Sequence, residues 1–346
     1  MGRKPYRVEV NYPKRGKPQY YLVKDVKVRG KKRKIRKYLG VVPPSVKDVE
    51  KYRERYAYEI ELKAATKRAE LSSAFYSSKY LTFEQLRTIE EIRFIYKTFT
   101  GLLTTDEIEI YERNFEVRYV QGTTSIEGNT ITLKEAYNLL VNDLPPNQKS
   151  LREINEVQNF KRVKAYRDKF RGKVSIDFIK TLHHLIMNNI AIDSAGIFRR
   201  IDDIGIVGYD FRVTPSVLIE SELNKIIEKY YENLKQGRHP FEEAVKFHHK
   251  FEMIHPFTDG NGRVGREILN YMLTRIGYPK LLFLGEDRDA YIKSLKLGDQ
   301  GNYADMIQAF TGLIIKQRSI ILKENLKEVV LPPKKNGQLR ITDFYL

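Results

Sequence analysis

Apolar side chains recur every three or four positions over most of this chain, and alternate at every second position in only two stretches. The first alternating stretch is Tyr20 to Val28, followed by a turn at Arg29-Gly30-Lys31 and a second run from Lys34 to Leu39, which predicts a small hairpin. Gly40 and Pro43-Pro44 break that pattern, and Ser45 is placed to cap a long charged helix from about Val46 to Leu71. After Thr82 the spacing of Leu86, Ile89, Ile92, Ile95 and Tyr96 restores the helical period, which dominates to about Lys323. The second alternating stretch interrupts it at Ile201 to Thr214, where Ile204 to Val207 and Phe211 to Val213 flank Gly208-Tyr209-Asp210. Leu331 to Gly337 reads as a linker carrying the terminal segment Gln338 to Leu346. The expected fold is therefore mainly α, with no internal repeats and two hairpins.

Charge changes this picture by singling out one end. The chain has 346 residues, enough for roughly two domains, and a net charge of +18. Residues 1–50 hold 16 basic and 4 acidic side chains, so two thirds of the excess sits on one seventh of the chain. A patch this basic is the electrostatic footprint of a polyanion, nucleic acid before anionic membrane. The chain has no cysteine, which excludes a disulfide framework, thiolate metal sites and cysteine catalysis. The start MGRKPYRVEV carries charge where a secretory signal has its apolar stretch, and no apolar run is long enough to span a membrane. A cytoplasmic protein is the expectation.

The densest chemistry lies between two helical patterns, at His255-Pro256-Phe257-Thr258-Asp259-Gly260-Asn261-Gly262-Arg263-Val264-Gly265-Arg266. Ala244, Phe247, His248, Phe251, Ile254 and His255 mark a buried helix face that ends on His255, and Ile268, Leu269, Met272 and Leu273 mark the next helix, closed by Gly277 and Pro279. The glycines thus open a helix N-terminus, where first-turn amides and the helix dipole favour an anion. Arg263 and Arg266, three apart, supply forked donors for further phosphate oxygens. Asp259 offers the hard oxygen that Mg²⁺ prefers, and His255 is a titratable base beside the bound phosphate. A metal hydrolase using His248, His249, His255 and Asp259 fits poorly, because His249 leaves the face shared by His248 and His255.

This segment resembles the Fic family motif, H-x-F-x-D/E-G-N-G-R-x-x-R, at every defined position. The resemblance runs from about Thr123 to Phe310 and includes Ala195 to Arg199 and Tyr278-Pro279. It implies a Fic-type helical core and transfer of AMP from Mg·ATP to a protein hydroxyl. On that resemblance His255 is the general base, Phe257 a structural anchor, and Asp259 the Mg²⁺ ligand. Gly260, Asn261 and Gly262 form the anion hole, and Arg263 and Arg266 hold the β- and γ-phosphates. Tyr291 and Asp299 fall at the nucleotide, with Asp299 where a relative would offer Asn to the adenine. A carboxylate accepts from the adenine amino group and cannot donate. The hairpin at Ile204 to Val213 takes the place of the family's flap, which pairs with an extended target by strand addition.

Thr123-Thr124-Ser125-Ile126-Glu127-Gly128 resembles the family's inhibitory pattern, S/T-x-x-x-E-G/N. The implied role is that Glu127 pairs with Arg266 and keeps it from the γ-phosphate, with Thr123 opening the pattern. In some relatives the equivalent Glu positions a water for removal of AMP, so a deAMPylase is the alternative direction. Gln338-x-x-Ile341-x-x-Phe344-Tyr345 resembles the peptide by which proteins bind the sliding clamp of DNA replication. The expected organisation is a basic β-hairpin arm over 1–42, a helical linker region over 43–105, a Fic domain with its inhibitory helix over 106–322, and a tail over 323–346. Expected partners are a protein substrate, nucleic acid through 1–42, a clamp through 338–345, and in some settings a second copy of the chain. The competing reading is a DNA- or clamp-associated adaptor whose Fic core only senses nucleotide.

Overall fold

Helix starts in the first half of the chain are specified locally. Ser45, Thr82, Thr104, Thr132 and Ser150 each accept a hydrogen bond from the third helical residue, whose own side chain returns to the cap backbone. Each such capping box satisfies two otherwise unpaired amides and contributes about 1 kcal/mol. The computed structural model describes residues 6–202 and 213–331. All but the last residue of the expected flap, and the tail with Gln338, Ile341, Phe344 and Tyr345, lie outside the described residues.

Three strands come first: β1 (Arg7–Asn11), β2 (Gln19–Val28) and β3 (Lys31–Gly40), antiparallel in the order β1-β2-β3. The expected hairpin is β2 and β3; β1 is an addition that the sequence pattern did not mark. One face of the sheet rests on α1 (Val46–Ser73), where Val8, Leu22 and Ile35 meet Tyr52, Tyr56 and Ile60. At the edge of this contact Glu61, 3% exposed, accepts from Tyr6 Oη at 2.6 Å and from Lys24, and Glu59 accepts from Lys37 at 2.6 Å. The basic arm is thus docked along a helix.

Residues 43–105, read as a linker region, contribute α1 and α2 (Phe83–Thr100). Ala65 and Ala69 of α1 and Leu86, Ile89, Ile92 and Ile95 of α2 belong to the main hydrophobic core. The chain continues through α3 (Thr105–Ser125), α4 (Leu133–Val141), α5 (Leu151–Gln158), α6 (Phe160–Lys169), α7 (Ile176–Ile186) and α8 (Ile219–Lys235). It ends with α9 (Pro240–Ile254), α10 (Asn261–Arg275), α11 (Arg288–Asp299) and α12 (Tyr303–Val330). Phe178, Phe241, Phe251, Ile268 and Leu269, each at most 1% exposed, fill the centre around α7, α9 and α10.

Because α10 is buried along nearly its whole length, its polar side chains must be paired. Asn270 closes a two-way bond with the Leu281 backbone at 2.8 and 3.0 Å. Glu267 accepts from Arg167 at 2.9 Å, and Arg167 also reaches Glu116 of α3 at 3.0 Å. These contacts fix α10 and α3 to one another.

Candidate active site

The loop between α9 and α10 is held in an unusual backbone path. His255, the C-cap of α9, has φ 49° and ψ 61°, a left-handed conformation that reverses the chain immediately after the helix. Gly260, with φ 79°, opens α10; a Cβ there would come within 2.8 Å of Met187 Sδ, so only glycine fits. Between them Asn261 clamps the loop, its Oδ1 accepting from Phe257 N at 2.9 Å and its Nδ2 donating to Phe257 O at 2.7 Å. The side chain of Asn261 is therefore spent on loop geometry, and only its backbone amide faces a ligand at the helix start. Val264 makes the first intrahelical bond, to Gly260 O, which leaves the amides of residues 261–263 as the free donors of the helix end.

Two residues outside the motif hold the loop from behind. The ring of Phe257, fully buried, stacks on His183 of α7 at 3.7 Å with a 3° interplanar angle. His183 Nδ1 accepts from the Gly196 amide at 2.8 Å, which places its proton on Nε2, where it donates to Asp259 O at 3.0 Å. Burial pushes this imidazole down to about 4, so it stays neutral in that role. Arg199 donates through Nε to His255 O at 2.7 Å and through Nη2 to Ile254 O at 3.2 Å, and its backbone amide bonds Pro256 O at 3.0 Å. The Ala195 to Arg199 segment thus serves to fix His255 in place.

A cavity of about 110 Å³ opens at this helix end, lined by Glu127, Glu252, His255, Arg266, Tyr291 and Asp299 among others, with Gly262 at the helix start. Burial pushes His255 down to about 4, so the imidazole is a neutral acceptor near pH 7. Arg266 is 1% exposed, and its Nε and Nη2 are both engaged. Its Nε donates to Thr123 Oγ1 at 2.8 Å, and its Nη2 donates to Thr123 O at 2.9 Å and Glu127 Oε1 at 2.6 Å. Burial alone would raise the Glu127 carboxyl, but the Arg266 guanidinium outweighs it and holds the group below its usual range. Tyr291 Oη bonds His248 Nε2 at 2.9 Å, and Asp299 Oδ1 bonds His249 Nε2 at 2.9 Å.

Not every motif residue faces this cavity. Arg263, 2% exposed, pairs with Asp259 at 3.1 Å and Glu156 of α5 at 3.2 Å. Asp259 is also bound by Arg152 and by the Gly260 amide. Arg263 and Arg266 are therefore engaged by different partners at the helix start. The grouping of His248, His249, His255 and Asp259 does not assemble, and among the described residues no cluster of three or more His, Asp or Glu side chains is placed to hold a metal ion.

Sequence reasoning missed His183, Arg152, Glu156 and Glu252. Glu252 lies one turn before His255 on α9, and among the described residues its buried Oε1 has no hydrogen-bond partner. Burial pushes its carboxyl up to about 8, with the charge of Glu127 adding to the shift against the pull of Arg266. A glutamate one turn ahead of a helix-terminal His is the signal that was available.

The chain is similar to known proteins. Residues 173–273 match the model of the Fic/DOC family. The chain is 29% identical over 230 residues to protein adenylyltransferase fic-1 of Caenorhabditis elegans, covering 65% of this chain and 44% of that protein. It is 28% identical over 198 residues to protein adenylyltransferase Fic of Drosophila ananassae, covering 55% and 38%. The chain thus spans less than half the length of these curated relatives. Among solved structures, Fic-1 of C. elegans superposes with a TM-score of 0.59 at 21% identity, over 82% of this chain and 86% of that one. A Fic domain containing signaling protein from Bacteroides thetaiotaomicron gives 0.56 at 20% identity, over 69% and 95%. The helical core has the Fic fold, and within it residues 173–273 match the Fic/DOC family.

Proposed function

We propose that the protein transfers AMP from ATP to a Ser, Thr or Tyr hydroxyl of a protein, and that Glu127 holds this activity off by occupying Arg266. The observation that carries the reading is the meeting, in one cavity, of a neutral His255, an open helix N-terminus and a buried Arg266. In the reaction the target hydroxyl gives its proton to His255, its oxygen bonds to the α-phosphorus, and the bond from that phosphorus to the bridging oxygen breaks, releasing diphosphate. The amides of residues 261–263 and the helix dipole stabilise charge on the phosphate oxygens. His183, Arg199 and Asn261 contribute by keeping the base and the amides in register.

Asp259 is the residue that would hold Mg²⁺. Its chemistry fits: one hard carboxylate beside a phosphate site, as Mg²⁺ prefers when substrate oxygens complete its shell. Its side chain is 43% exposed, and its partner Arg152, at 57%, has solvent to move into. When bound, the ion would neutralise charge on the phosphates.

The brake reading is supported by size as well as by contact. A cavity of about 110 Å³ is below the roughly 300–1,000 Å³ of pockets that enclose a ligand of nucleotide size. Incubation with ATP labelled at the α-phosphate tests the reading. Label should enter the chain itself or an added lysate protein, and His255→Ala should abolish it; label that persists in that variant overturns the assignment. Incubating pre-AMPylated protein with wild-type chain reads the reverse, deAMPylating direction. The sliding-clamp assignment rests on the sequence of residues 338–345, and binding of that peptide to a purified clamp should be lost with Phe344→Ala plus Tyr345→Ala.

A further inference from the structure

The register of the N-terminal sheet sorts its side chains into two faces. Val8, Leu22 and Ile35 lie on the face that packs against α1. The alternate rows, Tyr21 opposite Tyr38, Val23 opposite Arg36, Asp25 opposite Lys34 and Lys27 opposite Lys32, lie on the other face. We propose that this outer face binds single-stranded nucleic acid, a function separate from the AMP transfer above.

Two features of the face run against folding stability. Lys27 and Lys32 are direct cross-strand neighbours, and like charges in that position repel. Neither has an acidic partner within ion-pair distance among the described residues, whereas Arg7, Lys34 and Arg36 share Glu9 and Asp25 in the middle of the face. The aromatic rings are the second feature. Tyr21 and Tyr38 sit side by side at 5.5 Å near one end of the sheet, with Tyr38 49% exposed. At the same end the β1–β2 loop carries Tyr12, 73% exposed, together with Lys14, Arg15 and Lys17, which have no acidic partner among the described residues. Rings on the far side from the α1 contact give the sheet little core, but they offer flat surfaces to unpaired bases.

Phosphate contacts by lysine and arginine would serve a duplex or a single strand equally. Exposed rings favour the single strand, because stacking needs bases free of their partners. The sheet is fixed to α1 and α1 to the core through α2, so a bound strand would be held at a fixed distance from the catalytic loop.

The test is fluorescence anisotropy of the full chain with a labelled DNA strand of about 15 nucleotides and with the same sequence as a duplex. The strand should bind at least about tenfold tighter than the duplex, with a log–log salt slope near −0.7 for each phosphate neutralised. Tyr12→Ala plus Tyr38→Ala should weaken strand binding by about 10- to 100-fold while lowering the melting temperature by no more than about 4 °C, since Tyr12 is exposed and Tyr38 gives up only its cross-strand contact with Tyr21. Lys27→Ala plus Lys32→Ala should flatten the slope by about 1.4 and leave the fold at least as stable. Equal or tighter binding of the duplex, unchanged binding by the tyrosine variant, or no binding at low salt would each overturn the proposal.

Discussion

Replacing Glu127 by glycine tests the brake most directly, and the structure sets the size of the effect. The ion pair to Arg266 is short, 2.6 Å, but its two ends differ in environment: Arg266 is 1% exposed and the Glu127 side chain 37%. Removing one partner of a fully buried pair costs about 3–5 kcal/mol, whereas an exposed pair is worth about 0–1 kcal/mol. A pair with one wet end falls between, at about 1–2 kcal/mol. If that energy opposes nucleotide binding at Arg266, Glu127→Gly should raise the self-labelling rate at subsaturating ATP by about 5- to 30-fold. Arg266 keeps its bonds to Thr123 Oγ1 and O at 2.8 and 2.9 Å, so the variant should stay folded and melt no more than about 4 °C below wild type. Glu127→Gln, which keeps a hydrogen-bond acceptor but loses the charge, should fall between wild type and Glu127→Gly. Labelling in the glycine variant no faster than wild type at any ATP concentration, with His255 activity intact, would refute the competition argument.

Three further outcomes follow from the same cavity. Glu252 keeps its proton up to about 8 in the folded chain but only to about 4.3 unfolded. Between those values the native state binds the extra proton, so stability falls as pH rises through that window. Urea unfolding from pH 5 to 8.5 should show a decline, on the order of 4 kcal/mol, that Glu252→Gln removes; a variant with the same pH dependence as wild type would sink this. His255, neutral above about 4, predicts that kcat/KM of the Glu127→Gly enzyme loses its base only as pH approaches that value, and a midpoint near 6.5 in the profile would contradict it. Gly265→Ala would set its Cβ against Oε1 of Glu252 and within 3.0 Å of the Phe251 ring, which should cost about 1–3 kcal/mol in denaturant unfolding, partly recovered when Glu252→Ala is added.

The sequence exposes whatever is encoded over a few neighbouring residues. Helix starts were legible because Ser45 and Thr82 are followed three residues later by the side chain that completes each cap. The loop of the candidate site was legible because glycines, His255 and two arginines crowd into one turn. Strand β1 was not, since Val8 and Val10 offer too few alternations, and its identity comes from pairing with residues 19–23. The same limit explains the arginines. Arg263 and Arg266 lie close on a helical wheel and read as one clamp, yet Glu156 of α5 and Glu127 after α3 claim them separately. Helical phase fixes where a side chain leaves the helix; partners more than 100 residues away decide what it holds. Glu252 escaped notice for the same reason, as nothing local says that α9 will be enclosed at that position.

Gly262 joins the local and the long-range readings. Local chemistry says that a glycine in the first turn of α10 lets a phosphate approach the backbone amides. In the folded chain a Cβ at that position would lie 2.5 Å from Glu127 Oε1 and 2.9 Å from Arg266 Nη1. The space left by the absent side chain is therefore taken by the Glu127 carboxylate. Under the proposed reading, nucleotide phosphate and Glu127 need the same gap and the same guanidinium, and two anions cannot share them at contact distance. A larger residue at 262 would accordingly close the site to both. Gly262→Ala should lower labelling in the Glu127→Gly background as well as in wild type, and a variant that instead behaved like Glu127→Gly would show that the phosphate does not use this gap.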